Sequence, residues 1–431
     1  MQLSMIENFL LQYDYDVRKT GDARWIDQKC THDVLCIIAD CIDEFIQEDL
    51  TKEFTISDIW KSEYTKENVI GIFSKPNTDD KKAENEYDKF FSQPIKLLAY
   101  SNILTTTKRG NRNFYKVGNL DLLQYIAMRE HNALNFLYLY IVKVLKDSNL
   151  YITFDAFFEK QDNKNFYKVK KEFTDFTIEY TKINGNVECA RIFAKILNPI
   201  AFKLKKKGTI KGNLSKNTII LSDLQYNRLN WRDELSGKDK SQTRKEYEPT
   251  LIGQLERLAT YTVNKAKKSV KKYNEKYNFG LSEIKQDGET VKATQAHHIF
   301  PQNEFPEIAD YVENLITITP NQHFSMAHPD NQTKYIDKDF QYICLLAKTF
   351  TIKENILIKK DNFYCFDDYL FVLNKGLNTD EFDLISDLDF RALLDKIDQY
   401  YSPIEDNEYI DVAISVKKYK EQVSGSRNDV S

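Results

Sequence analysis

Four of the six histidines in this chain fall between positions 297 and 328. His297 and His298 are adjacent in Ala296-His297-His298-Ile299-Phe300-Pro301; Glu313-Asn314-Leu315 follows, then His323 and His328. Neutral imidazole is both the commonest metal ligand and the side chain best matched to proton transfer near neutral pH. The segment can therefore hold an ion, move a proton, or do both. Ile299 follows the pair, and Leu315, Ile316 and Ile318 follow the asparagine, a pattern of short apolar strands around polar groups. Adjacent residues on a strand point to opposite faces, so His297 and His298 should do different work. The bland alternative is a structural or merely ion-holding cluster. A histidine pair alone carries little, but the ordered series His-His, Glu-Asn-Leu, His is harder to obtain by chance. His32 and His131 stand alone and read as structural.

On these residues the stretch 290–335, about a tenth of the chain, resembles the HNH, or ββα-metal, family of nucleases. The resemblance implies phosphodiester hydrolysis, which needs an activated water, charge stabilisation on the phosphoryl oxygens and help for the departing 3′ oxygen. One divalent metal, expected to be Mg2+ with Mn2+ as a substitute, supplies the last two. A histidine off the metal takes the proton from water, worth about 10²–10⁴ in rate. By position in the family pattern, His297 is implied as the first metal ligand and His298 as the general base. Asn314 is implied to hold the loop so that the base keeps one orientation and tautomer, and His323 to be the second protein ligand. Two departures stand out. Thr319-Pro320-Asn321-Gln322-His323 occupies the place where many members carry Cys-Pro-x-Cys-His, so no structural zinc is expected. Some members carry a histidine four residues after the last ligand; here that position is Ala327, and His328 comes five after. His328 is left as either a phosphate or extra metal contact or a surface residue.

With 431 residues the chain is too long for one ordinary domain, and two to four are expected. A 42% hydrophobic and 13% aromatic composition with sparse Gly and Pro suits a globular protein and excludes collagen-like or wholly disordered classes. Met1 to Phe9 lacks the basic start of a signal peptide, and no stretch approaches the roughly 20 apolar residues that span a bilayer. The six cysteines show no Cys-x-x-Cys spacing and read as buried thiols of a reducing cytoplasm. A net charge of −4 does not advertise a nucleic-acid binder, but charge is uneven. Between Lys203 and Lys276 there are 19 Lys or Arg against 8 Asp or Glu; between Asp380 and Asp411 there are 11 acidic residues against 2 basic. The basic tract leads directly into the histidine segment, where a phosphate-tracking surface beside a nuclease site would be needed.

The expected fold is α+β, mainly helical and multidomain. Residues 1–120 read as a helical, winged-helix-like DNA-recognition domain. Val34, Leu35, Ile38 and Ile42 recur at helical spacing; Thr55 to Asp58 could cap a short helix. A second helix would run from about Lys66 to Phe73, and a third would carry Tyr87, Phe90, Phe91, Ile95, Leu97 and Leu98. A hairpin then follows, with Lys108, Arg109 and Arg112 at a basic tip around Gly110-Asn111, placed where a wing would touch phosphates. A helical bundle with a decorative hairpin is the alternative. Residues 121–245 read as a helical connector ending in a basic, DNA-facing segment. There Tyr226 to Asp233 mixes aromatics with Arg228 and Arg232, while Trp231 fits a core position equally well. Residues 246–335 form the nuclease part: an amphipathic helix over 250–273, with Leu251, Leu255 and Leu258 inward and Lys265, Lys267, Lys268, Lys271 and Lys272 crowding its end. An Asp287-Gly288 turn leads into the histidine-bearing strand. Residues 336–431 read as mixed α/β, with strand-like runs at Ile356-Leu357-Ile358 and Tyr369-Leu370-Phe371-Val372-Leu373, and a polar tail from Gln422 that is expected to be disordered.

The resemblance and this architecture together imply a site-specific, double-stranded DNA endonuclease of the type II restriction kind. It would leave 5′-phosphate and 3′-hydroxyl ends, act as a homodimer when cutting, and be matched by a cognate DNA methyltransferase. The rivals are a winged-helix DNA-binding regulator with a remnant nuclease segment, a homing or methylation-dependent nuclease of the same family, and the restriction fold built on an acidic pair and a lysine. For the last, Asp27-Gln28-Lys29 supplies only a fragment.

Overall fold

A computed structural model describes residues 2–73, 84–226, 244–285, 290–328, 336–361, 363–401 and 420–421. It is mainly helical with three two-stranded antiparallel sheets among the described residues. The chain divides into two compact units, Met1–Leu258 and Ala259–Ser431.

The first unit opens with α1 (Gln2–Leu10), α2 (Val17–Thr20), α3 (His32–Ile46), α4 (Ile56–Trp60), α5 (Glu63–Phe73) and α6 (Glu84–Tyr100). The apolar periodicity of α3 buries Val34, Leu35, Ile38, Ile42 and Ile46. At the start of α4 the Asp58 carboxylate accepts from both the backbone N–H and the hydroxyl of Thr55, at 2.8 Å each, the expected cap. All six apolar residues predicted for the third helix are buried on α6. The hairpin follows as β1 (Leu104–Arg109) and β2 (Arg112–Val117), registered so that Arg109 faces Arg112 across a two-residue turn. Gly110 takes φ +60 there, a left-handed conformation that glycine adopts without steric cost. Phe54 adds a one-residue bridge to β2, exchanging backbone hydrogen bonds with Tyr115 at 2.9 and 2.8 Å.

Next come α7 (Leu120–Met128), α8 (Glu130–Asp147), α9 (Tyr151–Glu159), α10 (Asn163–Tyr180) and α11 (Asn186–Lys203). Because α3 packs against both α7 and α8, the stretches expected as separate domains on either side of residue 120 share one core. A second hairpin, β3 (Lys207–Ile210) with β4 (Asn213–Thr218), covers α11 and is followed by α12 (Leu221–Leu224). This hairpin was not expected inside the basic segment; the Lys211-Gly212 turn, with Gly212 at φ +81, was its signal.

The division between units falls within α13 (Arg244–Asn278), longer than the predicted helix. Leu258 is half-buried, and the buried stripe continues through Val263, Ala266, Val270 and Tyr273; the side chains of Leu251 and Leu255 lie outside the described residues. The second unit then forms β5 (Gln295–His298) and β6 (Leu315–Ile318), paired antiparallel with His297 opposite Ile316 and His298 opposite Leu315. Beyond them lie α14 (Lys338–Lys353), α15 (Phe366–Gly376) and α16 (Phe390–Ile397).

The mixed α/β expectation for residues 336–431 is corrected here, since none of the described residues after Ile318 forms a strand. Ile356-Leu357-Ile358 lies in a π-helical turn, Glu354–Lys359, and Tyr369 to Leu373 lies in α15. The run is apolar because Tyr369, Val372 and Leu373 share one buried helical face, while Asp367 and Asp368 sit in the first turn, where helices favour acids. Asp287-Gly288 and the tail from Gln422 lie outside the described residues. Among the described residues no helix is long and apolar enough to cross a membrane.

Candidate functional site

Strand β5 separates the two adjacent histidines. His297 is buried on one face; His298 is half-buried on the other. Asn314 closes the loop between the strands. It is fully buried: its Oδ1 accepts from the Phe300 N–H at 2.8 Å, while its Nδ2 donates to the carbonyls of Phe300 (3.0 Å) and Ile308 (3.2 Å). Its own carbonyl accepts from Ile299 N–H at 2.9 Å. The clamp holds the chain beside Ala309, whose carbonyl lies 3.0 Å from His298 Nε2. A carbonyl only accepts, so Nε2 carries the proton and Nδ1 keeps its lone pair.

His297 meets His323 and His328 on the other face, with ring centroids 5.2 Å from each; His323 and His328 are 5.0 Å apart. One ligand atom from each of the three lies within 4.8 Å of the others. The five-residue spacing that left His328 open is explained by local structure. Gln322–Ala327 is a π-helical turn, in which residue i bonds to i+5, so His328 returns beside His323 where a regular helix would bring back position 327. The turn is anchored by the buried Gln322, whose Oε1 accepts from Ser282 (2.6 Å) and Thr319 N–H (3.0 Å) and whose Nε2 donates to Ile284 (3.1 Å).

The electrostatics disfavour protonation of His297, His298 and His323. Burial lowers the His297 pKa well below its ordinary value, with His323 and His328 adding to it. Burial, then the Lys267 charge, brings His298 down to about 4, against the opposing hydrogen bond to Ala309. His323 is lowered by burial, then by His328 and Lys267. Nε2 of His297 and Nδ1 of His323 are buried without a hydrogen-bond partner among the described residues. Two orphaned imidazole nitrogens beside a third imidazole fit a divalent ion, which would satisfy both.

Lys267 is the residue that pattern reading passed over. It is half-buried on α13, its charge reaches His297, His298 and His323, and among the described residues no carboxylate pairs with it. Burial, then Lys271, lowers its own pKa. Supporting groups also carried no sequence signal. Gln341 donates to the Ile299 carbonyl at 2.7 Å. Glu283 accepts from the Thr317 N–H and hydroxyl at 2.8 and 3.0 Å and pairs at 2.7 Å with the fully buried Lys348.

Other expected contacts are scattered. Lys268, Lys271 and Lys272 are exposed on α13. In the first unit Lys108, Arg109 and Arg112 are exposed on the hairpin, but Arg109 pairs with Glu53 at 2.8 Å and lies over the Phe114 ring. Arg228, Trp231 and Arg232 lie outside the described residues. Asp27 is engaged by Arg24 and the Gln28 N–H, and Lys29 by the Tyr226 hydroxyl and Glu86. All six cysteines are free thiols, five of them buried.

Comparison with protein-family models, with curated proteins and with solved structures gives no match to this chain.

Proposed function

We propose that the chain is a metal-dependent DNA endonuclease of the HNH kind. One observation carries this reading: β5 sends His297 into a trio of imidazoles and holds His298 apart from it, tautomer fixed, with a free lone pair at Nδ1. His297, His323 and His328 would hold one divalent ion, which when bound supplies Lewis-acid stabilisation of phosphoryl and leaving-group charge. His298 Nδ1 takes the proton from the attacking water. Asn314 keeps the carbonyl of Ala309 in place and so the tautomer of the base. Lys267 offers the scissile phosphate an ammonium that has no acidic partner among the described residues. Mg2+ is the ion the resemblance implies, but three imidazoles are a nitrogen donor set that suits Mn2+, Co2+, Ni2+ or Zn2+ better than oxygen-seeking Mg2+.

The finer reading is a cytoplasmic type II restriction enzyme that acts on duplex DNA as a dimer and is paired with a methyltransferase. It rests on the first unit: α3, the Phe54 bridge, α4 to α6 and the β1–β2 hairpin follow the order of a winged helix with a basic wing. The test is cleavage of unmodified plasmid and phage DNA by EDTA-stripped protein with each of these ions restored, followed by sequencing of the ends. Ends of one sequence and one offset support restriction, and scattered ends leave only the nuclease. Intact DNA with every ion would favour the DNA-binding regulator.

A further inference from the structure

A cavity of about 1130 Å³ in the first unit has a lining that the nuclease reading does not use. It lies between α10 and α11, bounded by the β3–β4 turn, Gln28-Lys29 and Tyr226. Six cations line it: Lys29, Lys170, Lys171, Arg191, Lys195 and Lys211. The one acidic residue of the lining, Asp175, is already paired with Lys171 at 2.5 Å. Lys170 donates to the Gly212 carbonyl at 2.7 Å and so holds the turn against α10. Lys29 is held by the Tyr226 hydroxyl and by Glu86 at 3.4 Å. Arg191, Lys195 and Lys211 remain, with no hydrogen bond or ion pair among the described residues. Burial pulls the pKa of Lys195 down, and the nearby Asp33 charge opposes this. A cation that is costly to bury and lacks a direct partner is stabilised by an anion.

The cavity is not only cationic. On α11 Val187, Ala190 and Ala194 form a small apolar wall at helical spacing, beside Arg191 and Lys195. Tyr226 and the exposed Tyr167 add aromatic rings. A bare phosphate would leave the wall and rings unused, whereas a nucleotide offers phosphates to the cations and a base to the flat surfaces. The volume lies just above the roughly 300–1,000 Å³ of small-ligand sites, room for one or two nucleotides.

We propose that this cavity binds a free nucleotide carrying at least two negative charges, at a site separate from the histidine centre. The full-length protein in EDTA, where metal-dependent cleavage is silenced, is titrated in a calorimeter with ATP, with the linear dinucleotide pApA, and with a short duplex. Micromolar binding of ATP or pApA is expected. Arg191→Gln and Lys195→Gln should each weaken it about tenfold or more, the loss of one charge-assisted hydrogen bond. Lys171→Gln, whose ammonium is already paired, should weaken it far less. Should Lys195→Gln lower the melting temperature, the exposed Arg191 and Lys211 carry the same test as glutamines. Absence of binding by both nucleotides, or binding that these substitutions leave unchanged, overturns the proposal. So does weakened duplex binding by the variants without nucleotide binding, which would make the cavity a DNA-backbone surface.

Discussion

At the scale of single residues, one hydrogen bond decides the chemistry assigned to His298. With Nε2 committed to Ala309, only Nδ1 can accept a proton, so His298→Ala should abolish cleavage while specific DNA binding stays within about twofold. Cleavage near the wild-type rate by that variant would remove the base assignment. A base with a lowered pKa is competent above that pKa and lost as pH falls through it. With His298 down at about 4, kcat/KM measured at saturating metal should stay flat well below pH 6.5 and fall only near or below about pH 4. Lys267→Gln removes a neighbouring positive charge and should move that limb upward; a limb near 6.5 in the wild type would contradict the desolvated base. The metal trio makes a separate prediction: His297→Ala, His323→Ala and His328→Ala should each weaken Mn2+ or Ni2+ binding in calorimetry, with Mg2+ the weakest ion on the wild type. His328 is buried, so the surface role that its spacing left open is already excluded, and full affinity in His328→Ala would leave it a packing neighbour of the other two rings. Residue types and order pointed to His297, His298, Asn314 and His323. Lys267 was not legible in this way, because a lysine among five on one helix end looks like its neighbours until the helix face is known.

Elements explain why so few residues can be held so closely. The four-residue strands β5 and β6 cannot orient two imidazoles unaided, and the surrounding chain does it through Asn314, Gln341 and Gln322. Asn314→Ala would strand the buried Phe300 N–H and carbonyl, while the Ile308 carbonyl keeps the Tyr311 N–H. Each such orphan costs about 1–3 kcal/mol, so a clear drop in melting temperature should accompany lost activity. Gly376, at the end of α15, gives an independent check, because a Cβ there would overlap the Phe300 ring. Gly376→Ala should destabilise the second unit by about 1–3 kcal/mol, as overpacked cores do, and lower the cleavage rate without touching a ligand. An unchanged melting curve would mean that Phe300 is not a fixed support. At this scale periodicity served well where one face was buried, as in α3 and α6, and caps marked α4. It failed on short unbroken apolar runs, because 356–358 and 369–373 fit a strand as well as a helix, and Leu357, Ile358 and Phe371 are apolar yet exposed. The π-turn was invisible for another reason: its sole trace is a histidine one residue late, which means something only after His297 is known to face it.

At the scale of the whole molecule the proposed function divides into two tasks, cutting at a small histidine centre and choosing where to cut with the larger first unit. A net charge of −4 gives no general attraction for DNA, so affinity must come from local basic surfaces. The clearest of these in the first unit is the hairpin tip, and its geometry revises what three cations should do. Arg109 is tied to Glu53 and stacked on Phe114, so Lys108 and Arg112 are the better placed to meet phosphates. Phosphate contacts carry no sequence information, so replacing all three with Ala should weaken specific and non-specific duplexes by similar factors. Each lost contact removes about 0.9 from the slope of log affinity against log salt. The triple variant should therefore lose about 1.8 of slope, not about 2.7, and Arg109→Ala alone should change it little. A full loss from Arg109→Ala would show that DNA competes Glu53 away. An unchanged slope in the triple variant, or a shifted recognition sequence with affinity intact, would show that the hairpin is not a backbone-gripping wing.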